Sequence, residues 1–417
     1  MNILYITDNN IMGHGGGCLG ARKYYSAIKA YAAKKNASFR VISLGQNMPE
    51  AMNVDVVKNR KLDKSARLHG HSNFMYFTWI KHKDKIMSYH PDVLFLGRTR
   101  LGFIAKEFKR VQPEIKIITF VDNIEYDYVD SYFALEKGIK GKILKTIEKH
   151  VVKNDEGDAV KYSDRLVYLT HRDVKRCKEL YHYNDPYEYI LPICLEHTRN
   201  LKVKTPKKTV AFIGSLGYGA NVSAVEMLIK QVWLPNFAQN DDFQLIIAGG
   251  NPADEIYRWT KLAPNIRLVA NFNEPEDFLP QNSLMVAPIP TGAGMKVKVA
   301  ETLSMGLPIA GSDEALVGYE DAIRDDKLDG IRRANNASEF TQAIREFSEM
   351  CEQDLVHIAL ENKNLFNKYY TFETAKELII DILKKWINLY KDDYFLFRKL
   401  IIIIYCYMPV VQLYLCY

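Results

Sequence analysis

The 417-residue chain is poor in cysteine, and its six cysteines (Cys18, Cys177, Cys194, Cys351, Cys406 and Cys416) include no C-x-x-C pair. That argues against a disulfide framework or a structural zinc and for a reducing compartment. Zinc-finger, helix-turn-helix and RNP patterns are missing, and a net charge of +6 is mild, so nucleic acid is not an expected partner. The opening MNILYIT lacks the charged and apolar regions of a secretion signal, and a cytoplasmic location is expected. No G-x-G-x-x-G stands before an acidic residue at dinucleotide spacing, which weighs against a dehydrogenase. One further absence points elsewhere. The last 18 residues, Leu400 to Tyr417, carry no charge. As a helix they would reach ~27 Å, barely a bilayer core, and Pro409 and Gln412 weaken such a helix. The tail suits membrane insertion or interfacial anchoring, or packing into a groove of the protein itself.

What the chain does contain is a repeated order of apolar strand, glycine turn and helix. MNILYIT, FRVISL, PDVLFLG, KIITFV and DRLVYLT read as strands in the first half. DNNIMGHGGGCLG reads as a turn and ARKYYSAIKAYAAKK as the helix after it. After the basic, proline-containing VKTPKK, the order repeats with TVAFIG, FQLIIAGG, IRLVA, SLMVAPI and LPIAGS. Alternation of this kind predicts parallel sheets covered by helices, with ligands at the C-terminal ends of the strands. Length alone favours two domains. Two basic stretches also stand out. Lys58 to His71 reads as a loop. Glu136 to Lys153 places Ile139, Ile143, Ile147 and Val151 at i, i+4 spacing, which fits either an amphipathic helix on an anionic membrane or a domain helix packing its stripe inward.

The most informative stretch is PTGAGMKVKVAETLSMGLPIAGS, Pro290 to Ser312. Gly292 and Gly294 allow a sharp turn and close approach of a ligand. Met295, Val299 and Leu303 form one buried stripe of a helix that Gly306 and Leu307-Pro308 terminate. Lys298 and Glu301 share its other face. A glycine turn feeding a helix N-terminus offers unpaired N–H groups to an anion, and Lys296 adds positive charge. An ordinary loop before a surface helix with a Lys–Glu pair would read the same way.

This stretch, with FIGSLGYGANVSAV and YLTHRDV, resembles the family 4 glycosyltransferases of the GT-B fold, and more narrowly their capsular and exopolysaccharide branch. The resemblance implies an α/β architecture of two Rossmann-like, doubly wound domains facing across a cleft. It implies an acceptor-binding domain over 1–202, a donor-binding domain over 203–370, a C-terminal helix over 371–395 crossing back to the first domain, and the hydrophobic tail over 396–417. It further implies transfer from a nucleotide-sugar with retention of configuration and no bound metal, and no D-x-D triplet occurs in the chain. No cofactor is implied, since the nucleotide-sugar is a substrate. The expected partners are that donor, a UDP-sugar by family frequency, and a glycan or lipid-linked acceptor at the cytoplasmic membrane face.

Carried over residue by residue, Glu301 matches the second glutamate of the E-x7-E motif, which binds ribose hydroxyls. Gly292, Gly294, Met295, Lys296 and Val297 match the turn at the sugar and diphosphate. Gly214, Ser215 and Leu216 match the first donor-domain turn, whose amides face the phosphates. Gly15, Gly16 and Gly17 match the loop beneath the diphosphate or acceptor. The first motif glutamate is absent: Ala293 stands eight residues before Glu301. GSLGYGAN also lacks the usual Arg and Lys, so Lys296 and Lys298 become the substitutes that neutralise the diphosphate. In ITFVDNIEYDYV, Asp122 stands where relatives have histidine; Asp122 or Glu125 can orient the acceptor or take its proton, or simply cap the next segment. His14 can reach the same centre or be a plain loop histidine. Arg172 and Asp173 read as a helix start. The rival readings are an epimerase of the same fold and a non-catalytic, nucleotide-binding membrane scaffold, which Ala293 favours.

Overall fold

The computed structural model describes residues 1–13, 15–133, 138–183, 188–323 and 330–384. The apolar runs become strands because they are buried on both faces, as parallel sheets under helices require. In the first half these are β1 (Asn2–Ile6), β2 (Ser38–Ile42), β3 (Val93–Leu96), β4 (Lys116–Val121), β5 (Arg165–Tyr168) and β6 (Tyr189–Ile190). They form one parallel sheet in the order β2-β1-β3-β4-β5-β6. In the second half, β7 (Lys208–Ile213), β8 (Phe243–Gly249), β9 (Ile266–Ala270), β10 (Ser283–Ala287), β11 (Ile309–Gly311) and β12 (Ile331–Arg333) pair in the order β12-β11-β10-β7-β8-β9. Both orders reverse direction once, between β1 and β3 and between β7 and β10. A crevice opens at such a switch point, outside the C-terminal ends of the strands. The glycine turn after β1 and the turns after β7 and β10 stand at those crevices.

Two local expectations change. The glycine loop is shorter than it reads, because the helix Gly16–Lys34 starts inside it: Gly15, at φ 100°, is the cap, and Gly16 and Gly17 are already helical. Lys58 to His71 holds a helix, Arg60–Leu68, rather than a loop. Asn59 caps it by accepting from Leu62 N at 2.8 Å, and Asp63 lies in its first turn, where a carboxylate favours the helix dipole.

The chain returns to the first domain at its end. Leu195 N donates to Tyr370 O (2.7 Å) and Phe372 N to Leu195 O (2.9 Å), so the backbone crosses beside the linker. The helical residues 372–384 then set Phe372, Ala375, Ile379, Ile382 and Leu383 into one core with Ile3 and Tyr5 of β1 and Tyr24 and Ile28 of the first helix. The tail beyond 384, including Leu400 to Tyr417, lies outside the described residues, and no helix among those described is long and apolar enough to cross a membrane. Ile379 is buried in this core. Ile379→Ala is expected to destabilise the first domain by about 2–5 kcal/mol, because the cavity adds to the lost transfer energy. Chemical denaturation followed by circular dichroism, with the wild type alongside, checks it.

Candidate functional site

In the first domain, the glycines bring the helix Gly16–Lys34 close to the strand ends. A Cβ on Gly20 would stand 3.3 Å from Asp122 Oδ2, and one on Gly17 2.9 Å from Asn9 Oδ1. The helix therefore aims its N-terminus, with the unpaired amides of its first turn, into the crevice. Asp122, just after β4, accepts a 2.5 Å hydrogen bond from Tyr24 Oη. Burial pushes its carboxyl above the usual range, while Lys23, Tyr24 and Arg98 pull the other way. Lys23 is buried, donates to Pro192 O at 2.9 Å, and lies 4.4 Å from the Tyr24 ring centre. Arg98, after β3, faces Asp8 at 3.5 Å.

Glu125 sits elsewhere. It is buried, receives Arg100 Nε at 2.7 Å, and belongs to an ion network in which Arg100 also holds Glu148 at 2.6 Å. It does not line the cleft; its carboxylate is committed to arginines that fix the turn after β4. His14 lies outside the described residues.

In the second domain, the helix Val297–Met305 follows the glycine turn with Lys296 as its cap residue and Gly306, at φ 73°, ending it. Met295, Val299 and Leu303 are buried as one stripe. Tyr319 locks the helix entry: its hydroxyl donates to Lys296 O at 2.8 Å and accepts from Ala300 N at 3.1 Å. Lys296 is not a free cation. Its Nζ donates to Gly294 O (2.8 Å) and Ala293 O (3.3 Å) and pairs with Glu314 Oε1 at 2.7 Å. Gly292 stands over this pair, since a Cβ there would be 3.0 Å from Lys296 Cε.

Lys298 is different. Its Nζ donates to Asn221 Oδ1 at 3.0 Å and lies 4.1 Å from the Phe212 ring centre, with no carboxylate in ion-pair range among the described residues. Burial pushes the ammonium down to about 7 against the pull of Glu301. Glu301, one turn on, accepts no side-chain hydrogen bond among the described residues, and burial raises its carboxyl. The two form no direct ion pair. Gly214 is the neighbour of Lys298: a Cβ there would stand 3.1 Å from the lysine nitrogen. The turn after β7 presents fewer donors than its sequence suggests. Gly214 N donates to Ala248 O, and Leu216 N, on a fully buried residue, to Gly250 O. Ser215 alone of the three keeps an exposed amide position, while Asn221 Nδ2 holds its carbonyl at 2.9 Å.

The two sides meet around a cavity of about 220 Å³. Gly16, Gly17, Lys23, Arg98 and Asp122 line it from the first domain. Met295 and Val297 line it from the second, so two helix N-termini face one space. Contact between the domains is close. A Cβ on Gly294, at φ 61°, would overlap the Asn123 side-chain oxygen and stand 2.6 Å from Asp122 O. Arg172 does begin a helix capped by Thr170, as read, but it also crosses to Glu314 at 2.7 Å. With Arg176, Asp127 and the Gly292–Gly294 turn it bounds a second cavity of about 210 Å³. Glu314, Arg98, Asn221 and Tyr319 carry no motif that singles them out. Only Arg98, at a strand end beside a glycine, had a positional signal.

Gly294→Ala is expected to lower stability by about 1–3 kcal/mol, from left-handed strain and the clash with Asn123. Thermal melting checks this, and Asn123→Ala in the same chain should recover part of the loss by opening space for the methyl group.

Residues 207–349 match the family model for Glycosyl transferases group 1. No curated protein matches the chain by sequence. Among solved structures, it is similar to WaaG, a glycosyltransferase involved in lipopolysaccharide biosynthesis, at 14% identity and a TM-score of 0.62, over 92% of this chain and 99% of that one. Sucrose-phosphate synthase from Thermosynechococcus elongatus matches at 11% identity and a TM-score of 0.64, over 93% and 99% of the two chains. Anabaena HepE in complex with UDP matches at 10% and 0.57, over 92% and 100%. The chain thus has the GT-B fold, two Rossmann-like domains across a cleft, and its second domain carries the group 1 glycosyltransferase pattern.

Proposed function

We propose that the protein is a retaining hexosyltransferase that moves a sugar from a nucleoside diphosphate, a UDP-sugar, to a glycan or lipid-linked acceptor at the cytoplasmic membrane face, in cell-surface polysaccharide synthesis. The observation that carries this reading is the Lys298–Glu301 pair of positions. One helix presents a part-buried ammonium held only by the Asn221 amide oxygen and a carboxylate that accepts no side-chain hydrogen bond among the described residues, beside the turn after β7. A diphosphate complements the first and a ribose diol the second. The group 1 match over this domain and the UDP bound by HepE support it.

The chemistry follows from the leaving group. As the sugar–phosphate bond breaks, negative charge grows on the diphosphate, and stabilisation counts where it is stronger than in the ground state. Lys298 and the N-terminus of Val297–Met305 act there from the donor side, with protein charge in the place of a metal clamp. Lys296 shapes the turn instead, through its bonds to two carbonyls and Glu314. Asp122, on the cavity wall and with its carboxyl raised by burial, orients the acceptor hydroxyl and takes its proton. The nucleotide-sugar enters as substrate, and no separate cofactor is assigned.

The deciding experiment is a thermal-shift titration with UDP, GDP, ADP and NAD. One nucleoside diphosphate should stabilise the wild type, by roughly 2.7 kcal/mol at a hundredfold excess over its dissociation constant. Lys298→Met and Glu301→Gln should both blunt that response; a response to NAD alone, or to none, overturns the reading. The lysine also dictates a pH dependence. A diphosphate favours the ammonium, whose pKa in the free protein is pushed down to about 7, so binding takes up protons near neutrality. Affinity should fall as pH rises above that value, approaching roughly tenfold per unit. Calorimetry in buffers of different ionisation enthalpy measures the uptake, and Lys298→Met should abolish it. Asp122→Asn should lower turnover of sugar by about 10²-fold or more while leaving nucleotide affinity intact. A glycosyl product, rather than an altered free sugar, separates transfer from epimerisation.

A further inference from the structure

The helix Ile139–Tyr162 exposes most of the stripe that its spacing allowed to be core. Val151 is buried, but Ile139 (79% exposed), Ile143, Leu144 and Ile147 face outward. Single exposed apolar residues are ordinary; four on three successive turns of one helix are a surface. The same stretch carries Lys140, Lys142, Lys145, Lys149 and Lys153. Its one acid, Glu148, is buried between Arg67 and Arg100. Lys145 and Lys149 are held by Asp130, whereas Lys140, Lys142 and Lys153 are exposed.

Arg67 brings a second element to the same place. It belongs to the helix Arg60–Leu68, whose last residue, Leu68, is 87% exposed and whose Arg60, Lys61 and Lys64 are exposed too. Apolar side chains from two helices, bordered by basic ones, form the pattern of an interfacial surface. The apolar groups enter the acyl boundary and the lysines meet anionic headgroups. We propose that this face, Ile139–Ile147 with Leu68 beside it, docks on an anionic lipid bilayer.

Its position gives the docking a use. The helix Glu125–Tyr132 packs along it, with Lys149 lying 4.3 Å from the Tyr126 ring centre and bonded to Asp130 at 2.6 Å. Tyr128 of that helix lines the cleft cavity, and Tyr132, one turn further, is exposed. One turn is ~5.4 Å. The docking face therefore adjoins a helix that reaches the cleft. The inference goes beyond the donor-site reading and uses neither Lys298 nor Glu301.

The test uses the full chain with sedimentable vesicles of phosphatidylcholine alone or mixed with phosphatidylglycerol. The wild type should sediment with the mixed vesicles, and less so at high salt. Lysines near such a surface contribute roughly fivefold each to partitioning, so Lys140→Glu with Lys142→Glu should weaken it at least tenfold. Ile143→Asp with Ile147→Asp should weaken it comparably. Unchanged melting temperatures for both variants keep the test valid whether or not a nucleotide binds. Variants that partition like the wild type, or a wild type indifferent to phosphatidylglycerol, would overturn the proposal; the first outcome would move binding to the apolar tail. A lipid-free oligomer that the isoleucine variants dissociate would equally overturn it, assigning the face to self-association.

Discussion

The ion pair of Lys296 with Glu314 sets the shape of the cleft. Lys296 gathers the carbonyls of Ala293 and Gly294 under its ammonium, and Glu314 holds the ammonium there. The turn is thereby curled so tightly that Gly294 takes a left-handed φ and presses on Asp122 and Asn123 of the other domain. Arg172 then reaches across to the second oxygen of Glu314. One carboxylate thus fixes a turn within a domain and a contact between domains. The pair is only slightly exposed, at 15% and 18%, so its attraction is less screened than that of a surface pair, and removing Glu314 would leave the Lys296 ammonium without its carboxylate.

Because Lys296 is engaged in this way, the cations around the cleft divide by task. Lys23 is committed to backbone carbonyls and Arg98 to the side of Asp8. Lys298 rests on an amide oxygen and an aromatic ring, neither of which returns what an ammonium loses on leaving water. The protein keeps it there because the helix Val297–Met305 is anchored on both sides, by Tyr319 at its entry and by its buried stripe. On the proposed reading, an arriving diphosphate offsets the cost of that burial. Such a site is coupled to protons by construction.

The sequence showed the sheets well. Long apolar runs became β1 to β5 and β7 to β11, while β6 and β12 escaped notice because two or three residues carry no period. Strand order was beyond it, since pairing of β1 with β3 or β7 with β10 leaves no local trace. The helix start inside the glycines was hidden because glycine reads as a turn wherever it clusters. At the site, the contiguous part was legible: residues 292 to 301 carry their own turn, cap and stripe. What crosses the chain was not. Glu314, Arg172 and Asn221 are defined by what they touch, and Glu125 looked catalytic because it follows Asp122 in a stretch that resembles the family's. Only the fold reveals Arg100 standing over it.

The helix Ile139–Tyr162 shows the same limit from the other side. Its i, i+4 spacing established that one face is apolar, not what covers that face. The covering is set by where the helix is gripped. A Cβ on Gly102, the first residue of the helix Gly102–Val111, would overlap the backbone of Asp155, so the two helices meet at nearly zero clearance there, and Val151, Val152 and Ala159 are buried around that point. Ile143 lies about twelve residues before it, ~18 Å along the axis. Among residues 139–147 only Gly141 is buried, so the apolar side chains of these turns lie at the surface. A soluble helix free to choose would place polar residues on such turns. Isoleucine on three successive turns, with lysines between them, is a composition that water alone does not favour.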